Sequence, residues 1–207
     1  MSVHDKKRIP PHIHFQTEVK EVRQVRSNRP LYKGQHWTDV IIDSILTLDQ
    51  TIIDFTRQYE IDESPMTMSS GTNQVSDATA TKGYCAKRLS SAASGTMFYG
   101  PYKNFEESEY YAIFLLKVAS NASSSNLVTV EAHSEALGMS VSRIIKPNEF
   151  TANDTWQKFA LKFIARADIS DYEFRAVNFV TGITDLSADW VGIVPSNVPL
   201  GDTGITN

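Results

Sequence analysis

The chain has 207 residues, with 20 Lys and Arg against 24 Asp and Glu, a formal net charge of -4 and a single cysteine. That balance, with no basic face along the chain, argues against nucleic-acid binding. Lone Cys85 rules out an internal disulfide and reads as a buried structural thiol, and no apolar run approaches membrane-spanning length.

Residues 1–37 read as an extended arm. Lys6, Lys7 and Arg8 precede Pro10-Pro11, which favours a polyproline-like path. His12 and His14 would share one side of a strand, but no third ligand follows at a recognisable metal spacing. Lys20, Arg23, Arg26 and Arg29 form a local basic patch, read as a solvated face. The first residues carry charge without an apolar segment behind it, so a secretory signal is not expected.

Residues 38–58 predict an amphipathic helix. Thr38 suits the cap and Asp39 the first turn. Ile41, Ile45, Leu48, Ile52, Phe55 and Tyr59 recur at spacings of four and three, the a/d rhythm of a coiled coil, for about two to three heptads. Ile42, Leu46 and Ile53 widen the stripe beyond a two-stranded seam. Either the helix joins a bundle of copies, with isoleucine at a and d leaning toward a trimer, or it lies across its own β domain. The β-branched residues keep a strand as a third reading. The candidate oligomer interface is Ile41, Ile45, Leu48, Ile52 and Phe55.

From Glu60 the helical pattern stops, and Pro65 with the polar run Ser69 to Asn73 marks the crossing into a β domain over 59–195. Strands are expected at Tyr84 to Leu89, Thr96 to Tyr99, Tyr110 to Val118, Leu127 to His133, Met139 to Ile145, Trp156 to Ile164, Tyr172 to Val180 and Trp190 to Val194. Tyr110 to Val118 is apolar on both faces and belongs in the middle of a layered structure. The turn before it, Lys103 to Glu109, reads as polar. Gln157 to Ala165 sets Phe159, Leu161 and Phe163 against Lys158 and Lys162, the pattern of a half-buried antiparallel strand. About eight such strands, with no helical period between them, predict a mainly β fold, a β-sandwich jelly roll. The tail, 196–207, reads as a surface strap or loose end. Asn121-Ala-Ser123 and Asn153-Asp-Thr155 match the glycosylation triplet and read as polar loop residues.

Five short pieces, in order, resemble the calcium-containing carbohydrate-binding modules of the galactose-binding jelly-roll type. They are Tyr59-Glu60-Ile61-Asp62, Asp77 to Gly83, Phe98 to Tyr102, Thr155 to Phe159 and Ala188 to Ile193, and they cover about residues 59–194. The resemblance implies that acids of the first and last strands, Glu60, Asp62 and Asp189, share a structural calcium. Aspartate at 62 departs from the glutamate usual there, and separate surface carboxylates are the alternative. It also implies a sugar platform built on an exposed aromatic, for which Tyr84, Tyr99, Tyr102 and Trp156 are the candidates; strand packing is the alternative for each.

No catalytic constellation accompanies these features. There is no nucleophile elbow, phosphate-cradling glycine loop or His-Glu-x-x-His; Cys85 with His133 reads as a buried thiol and a surface imidazole, and Glu106, Glu107 and Glu109 as a solvated turn. Two functions remain. The favoured one is a non-catalytic structural or assembly protein of the phage-virion kind (tail, fibre or capsid decoration), made in the cytoplasm and built into a particle. Its arm and helix would bind copies of itself or other proteins while the jelly roll is displayed. The other is a free glycan-binding module.

Overall fold

The computed structural model describes residues 58–197 and the two-residue strand Ile205–Thr206. The arm, the helix expected over 38–58 and the interface residues Ile41, Ile45, Leu48, Ile52 and Phe55 lie outside the described residues, apart from Gln58, which opens the first strand.

Among the described residues the strands, in chain order, are β1 (Gln58–Glu60), β2 (Thr67–Met68), β3 (Thr72–Ser76), β4 (Tyr84–Arg88) and β5 (Phe98–Tyr99). Then follow β6 (Pro101–Lys103), β7 (Ser108–Val118), β8 (Val128–Ser134), β9 (Met139–Ile145), β10 (Gln157–Ala165), β11 (Tyr172–Val177), β12 (Leu186–Pro195) and β13 (Ile205–Thr206). They form two sheets. One has the order β13-β10-β7-β12-β4-β3, with β1 also on β12; the other has the order β2-β5-β11-β8-β9, with β6 also on β11. All the pairings are antiparallel except β10 with β13.

Strand β7 lies inside the larger sheet, paired with β10 from Leu116↔Gln157 to Ser108↔Ala165 and with β12 from Val118↔Leu186 to Tyr110↔Pro195. Tyr110, Ala112, Phe114, Leu116 and Val118 enter the main core between the sheets. Ile113 joins Trp190 and Val194 in a second cluster, with Tyr111 and Leu115 packed against it. The double-sided apolar pattern of β7 therefore has the cause expected from its sequence. Strand β12 is buried at nearly every position, which erases the alternation that locates strands, so its first four residues were not predicted.

Shorter elements also depart from expectation. The polar run ending at Asn73 continues into β3, a hairpin strand on β4 with exposed polar residues on an outer strand of the sheet. Strand β11 stops at Val177 rather than Val180, because Asn178 takes φ 54, left-handed backbone that asparagine tolerates and a strand does not. The turn before β7 is polar except for Phe105, which is buried in the core. Its ring meets Tyr110 and Phe163 of one sheet, and Tyr172 and Phe174 of the other, with centroids 5.5–6.0 Å apart.

One buried cation ties the loops at the β4 end of the sandwich. Arg88 is 3% exposed, and desolvation lowers its pKa. Its Nη1 donates to the carbonyls of Ser70 and Thr96, each at 2.9 Å, and to Thr72 Oγ1 at 3.2 Å, while Nη2 donates to the Ala93 carbonyl. Gly71 turns the chain over the guanidinium on left-handed backbone, φ 85, which favours glycine. Arg88→Met would strand three carbonyls without their donor, so we expect urea unfolding to report a loss of roughly 2–4 kcal/mol. Arg88→Lys should recover only part of that loss, since an ammonium cannot fan out to the same acceptors. Native-like stability of Arg88→Met would show that the clip contributes nothing.

Candidate functional site

Alternation along β11 divides its side chains. Tyr172, Phe174 and Ala176 enter the core, which leaves Glu173 and Arg175 on the opposite face of the smaller sheet. Strand β8 does the same, with Val128, Val130 and Ala132 inward and Thr129, Glu131 and His133 outward. The register sets Arg175 opposite Glu131 and Glu173 opposite His133, and on β9 it sets Ser142 opposite Glu131 and Ser140 opposite His133. Two parallel rows of polar side chains therefore cross three strands.

These rows are bonded into one network. Arg175 Nε donates to Glu131 Oε2 at 2.6 Å, and its Nη1 to Glu173 Oε1 at 3.0 Å. His133 Nδ1 lies 2.6 Å from Ser140 Oγ, with Nε2 3.8 Å from Glu173 Oε1. The imidazole expected at the surface is thus largely covered, held within the network. Glu173 is 7% exposed, and a charge buried that deeply needs a partner, which Arg175 supplies.

The aromatics come from the chain on the other side of β11. Phe98 faces the core opposite Ala176, so its neighbour Tyr99 falls on the outer face with Arg175. Pro101 pairs with Glu173, and the register then slips before Lys103 meets Tyr172. The slip expels Tyr102, whose φ is 59. Gly100 makes room for this path: at φ 124, a Cβ there would come within 2.9 Å of the Pro65 carbonyl oxygen. Tyr102 is 51% exposed and meets Tyr99 edge to face, with centroids 6.4 Å apart. Desolvation, then the nearby Glu173 carboxylate, push the Tyr102 phenol up to about 12. The ring itself remains available.

The four candidate aromatics are therefore not one group. Tyr99 and Tyr102 share this face. Tyr84 is half-exposed on β4, opposite Ser76 in the other sheet. Trp156 immediately precedes β10; its Nε1 donates to Thr79 Oγ1 at 2.9 Å, and Lys117 Nζ lies 4.5 Å from its ring centroid. One ring face of Trp156 is thus already taken. Lys117 also pairs with Asp77. Burial opposes the Asp77 charge, but the bonds from Lys117 and Thr79 outweigh it and hold the carboxyl at about 2. Burial, followed by the Asp77 charge, pushes the Cys85 thiol up to about 11. These contacts pin the loop after β3 against the larger sheet.

The three proposed calcium ligands are brought together only in part. Asp189 is fully buried; its Oδ2 accepts from the Thr81 N–H at 2.8 Å and from Thr81 Oγ1 at 2.9 Å, while Oδ1 has no partner. Glu60 accepts from Gln58 on Oε1 at 2.8 Å, and its buried Oε2 has no partner. Desolvation raises the pKa of both acids, and each feels the other. Asp62 accepts from Gln74 on Oδ2 at 2.8 Å, and its charge helps to raise the pKa of both other acids. Among the described residues no group of three His, Cys, Asp or Glu side chains is placed to hold one metal ion.

No protein-family model matches the sequence, and no curated protein matches it. Solved structures do. The Family 35 carbohydrate binding module from Clostridium thermocellum superposes at TM-score 0.50 and 12% identity, over 67% of this chain and 98% of that one. A family 6 module from Cellvibrio mixtus lichenase 5A gives 0.46 and 12%, over 68% and 97%. The C-terminal family 6 module of a Zobellia galactanivorans laminarinase gives 0.46 and 13%, over 67% and 99%. The structural neighbours are carbohydrate-binding modules of the jelly-roll type, and at these identities the likeness is one of fold.

Proposed function

We propose that this protein is a non-catalytic glycan-binding module whose site is the outer face of the smaller sheet. The observation that carries the reading is Tyr102: a half-exposed ring on left-handed backbone, set edge to face against Tyr99 and close enough to the nearly buried Glu173 carboxylate to feel its charge. A sugar face stacks on such a ring without first having to order it, and Glu131, Arg175 and His133 supply acceptors and donors for hydroxyls along the same face. From the strands carrying Tyr99 and Tyr102 to β9 the face crosses three strand spacings of about 4.8 Å, a track of roughly 14 Å.

A glycan array followed by calorimetry tests this directly. Tyr102→Ala should weaken the best hit roughly tenfold or more, the equivalent of about 1.4 kcal/mol, with little change in melting temperature. Tyr84→Ala and Trp156→Ala, on the other sheet, should bind as the native chain does. Equal loss from Trp156→Ala, or none from Tyr102→Ala, would move the site elsewhere.

We also propose a structural calcium at Glu60 and Asp189. Their two orphaned oxygens fit a cation that takes oxygen ligands, with the rest of its shell coming from outside the acid cluster. The competing explanation is a proton held between the two acids. Both pKa values are raised, so without metal the folded state holds more protons than the unfolded one, and stability falls as pH rises above the usual carboxylate range. A cation needs both groups ionised, so its stabilisation grows with pH. In calcium, melting temperature should therefore rise with pH, in chelator it should fall, and Glu60→Gln should suppress both trends. Identical profiles with and without calcium would leave only the proton.

The assembly role expected from the sequence would fall to segment 38–58, supported by its wide apolar stripe. Light scattering on the full chain should then report an oligomer, and Ile45→Glu with Ile52→Glu a monomer. A monomeric native chain would remove that role and leave the binding module alone.

A further inference from the structure

We infer that this face selects neutral and amine-bearing glycans and rejects acidic ones, an inference that rests on the binding face proposed above. The two polar rows contain two carboxylates, Glu131 and Glu173, and one guanidinium, Arg175, which already bonds to both. Counting the two carboxylates and the guanidinium alone, the rows stand at -1. Glu135 adds a further exposed carboxylate 3.9 Å from His133 Nε2. Lys103, the exposed cation on β6, stands opposite Tyr172, whose side chain enters the core.

The remaining bonding capacity favours hydroxyls and amines. Arg175 takes Glu131 Oε2, which leaves Oε1 to accept from a sugar hydroxyl or an ammonium. The carboxylate of a sugar acid is an acceptor only and has no proton to offer that oxygen. To reach the guanidinium it would have to sit between two carboxylates, where like-charge repulsion in a partly dry site outweighs what the shared cation returns. A uronic-acid glycan brings one such charge per residue, so the penalty repeats along the track. A neutral glycan brings none, and a glucosamine glycan brings charges of the favourable sign.

The test uses the full chain and three kinds of hexasaccharide: a panel of neutral hexoses and pentoses in several linkages, glucosamine hexamers and galacturonate hexamers. Calorimetry at low salt should find a neutral or glucosamine hexamer bound at least tenfold tighter than the galacturonate one. That gap should narrow at high salt, where charges beyond a few ångströms are screened. It should also narrow in Glu131→Gln, which keeps the side-chain shape and removes one charge. Binding in every case should fall with Tyr102→Ala. Galacturonate binding as tight as the neutral panel, and lost in Tyr102→Ala, would overturn the selectivity while leaving the face as the site. Binding unaffected by Tyr102→Ala, or by none of the three classes, would overturn the site and the selectivity together.

Discussion

The ring of Phe105 holds the two sheets and the candidate site in one relation. It is a single apolar residue in a polar connection, yet it touches two aromatics of each sheet and is almost wholly buried. Burying a phenylalanine stabilises by about 1.5–3 kcal/mol, which anchors the connection against the core. The chain between β5 and that anchor is short, and β6 must also reach its place on β11. The register slips to accommodate both, and Tyr102 is the residue left outside. The exposed platform is thus a by-product of a core contact three residues away.

Around that platform the sheet itself does the positioning. Strand β11 offers its inward residues to the core and, at intervening positions, a carboxylate and a guanidinium to the outer face. The same backbone that sets Phe174 in the sandwich sets Glu173 opposite His133 on the outer face. Few flexible groups need to be ordered when a ligand arrives, which is where preorganised sites gain their affinity. The larger sheet is used differently. Its outer side is closed by apolar side chains of β7 and β12 and by the loop that Asp77 and Thr81 fasten down.

Long strands with one buried face were readable from sequence because alternation reports a face directly. Strands β7, β8, β9 and β10 fall within a residue or two of their expected bounds. Alternation fails where both faces are covered, as in β12, and where strands are too short to show a period, as in β1, β2 and β6. The sequence singles out Tyr99 and Tyr102, which share the candidate face, together with Tyr84 and Trp156, which belong to the other sheet. The polar half of the site was missed. Its signal was present in the opposed pairs Glu131 with His133 and Glu173 with Arg175, each two residues apart and so on one face of a strand. What the sequence does not carry is that β8 and β11 are neighbours, since β9 and β10 intervene in the chain. The acid trio shows the same limit: β1 on β12 brings Glu60 toward Asp189, a pairing of the two chain ends of the domain that no local pattern reports.

The placement of the indoles has a practical result. Trp190 lies in β12 and Trp156 at the threshold of β10, so both described tryptophans belong to the larger sheet. Neither borders Tyr99 or Tyr102 among the ring contacts of the described residues. With the outer face of the smaller sheet as the site, the emission of these two indoles should change little on binding, and tyrosine resonances would register the ligand.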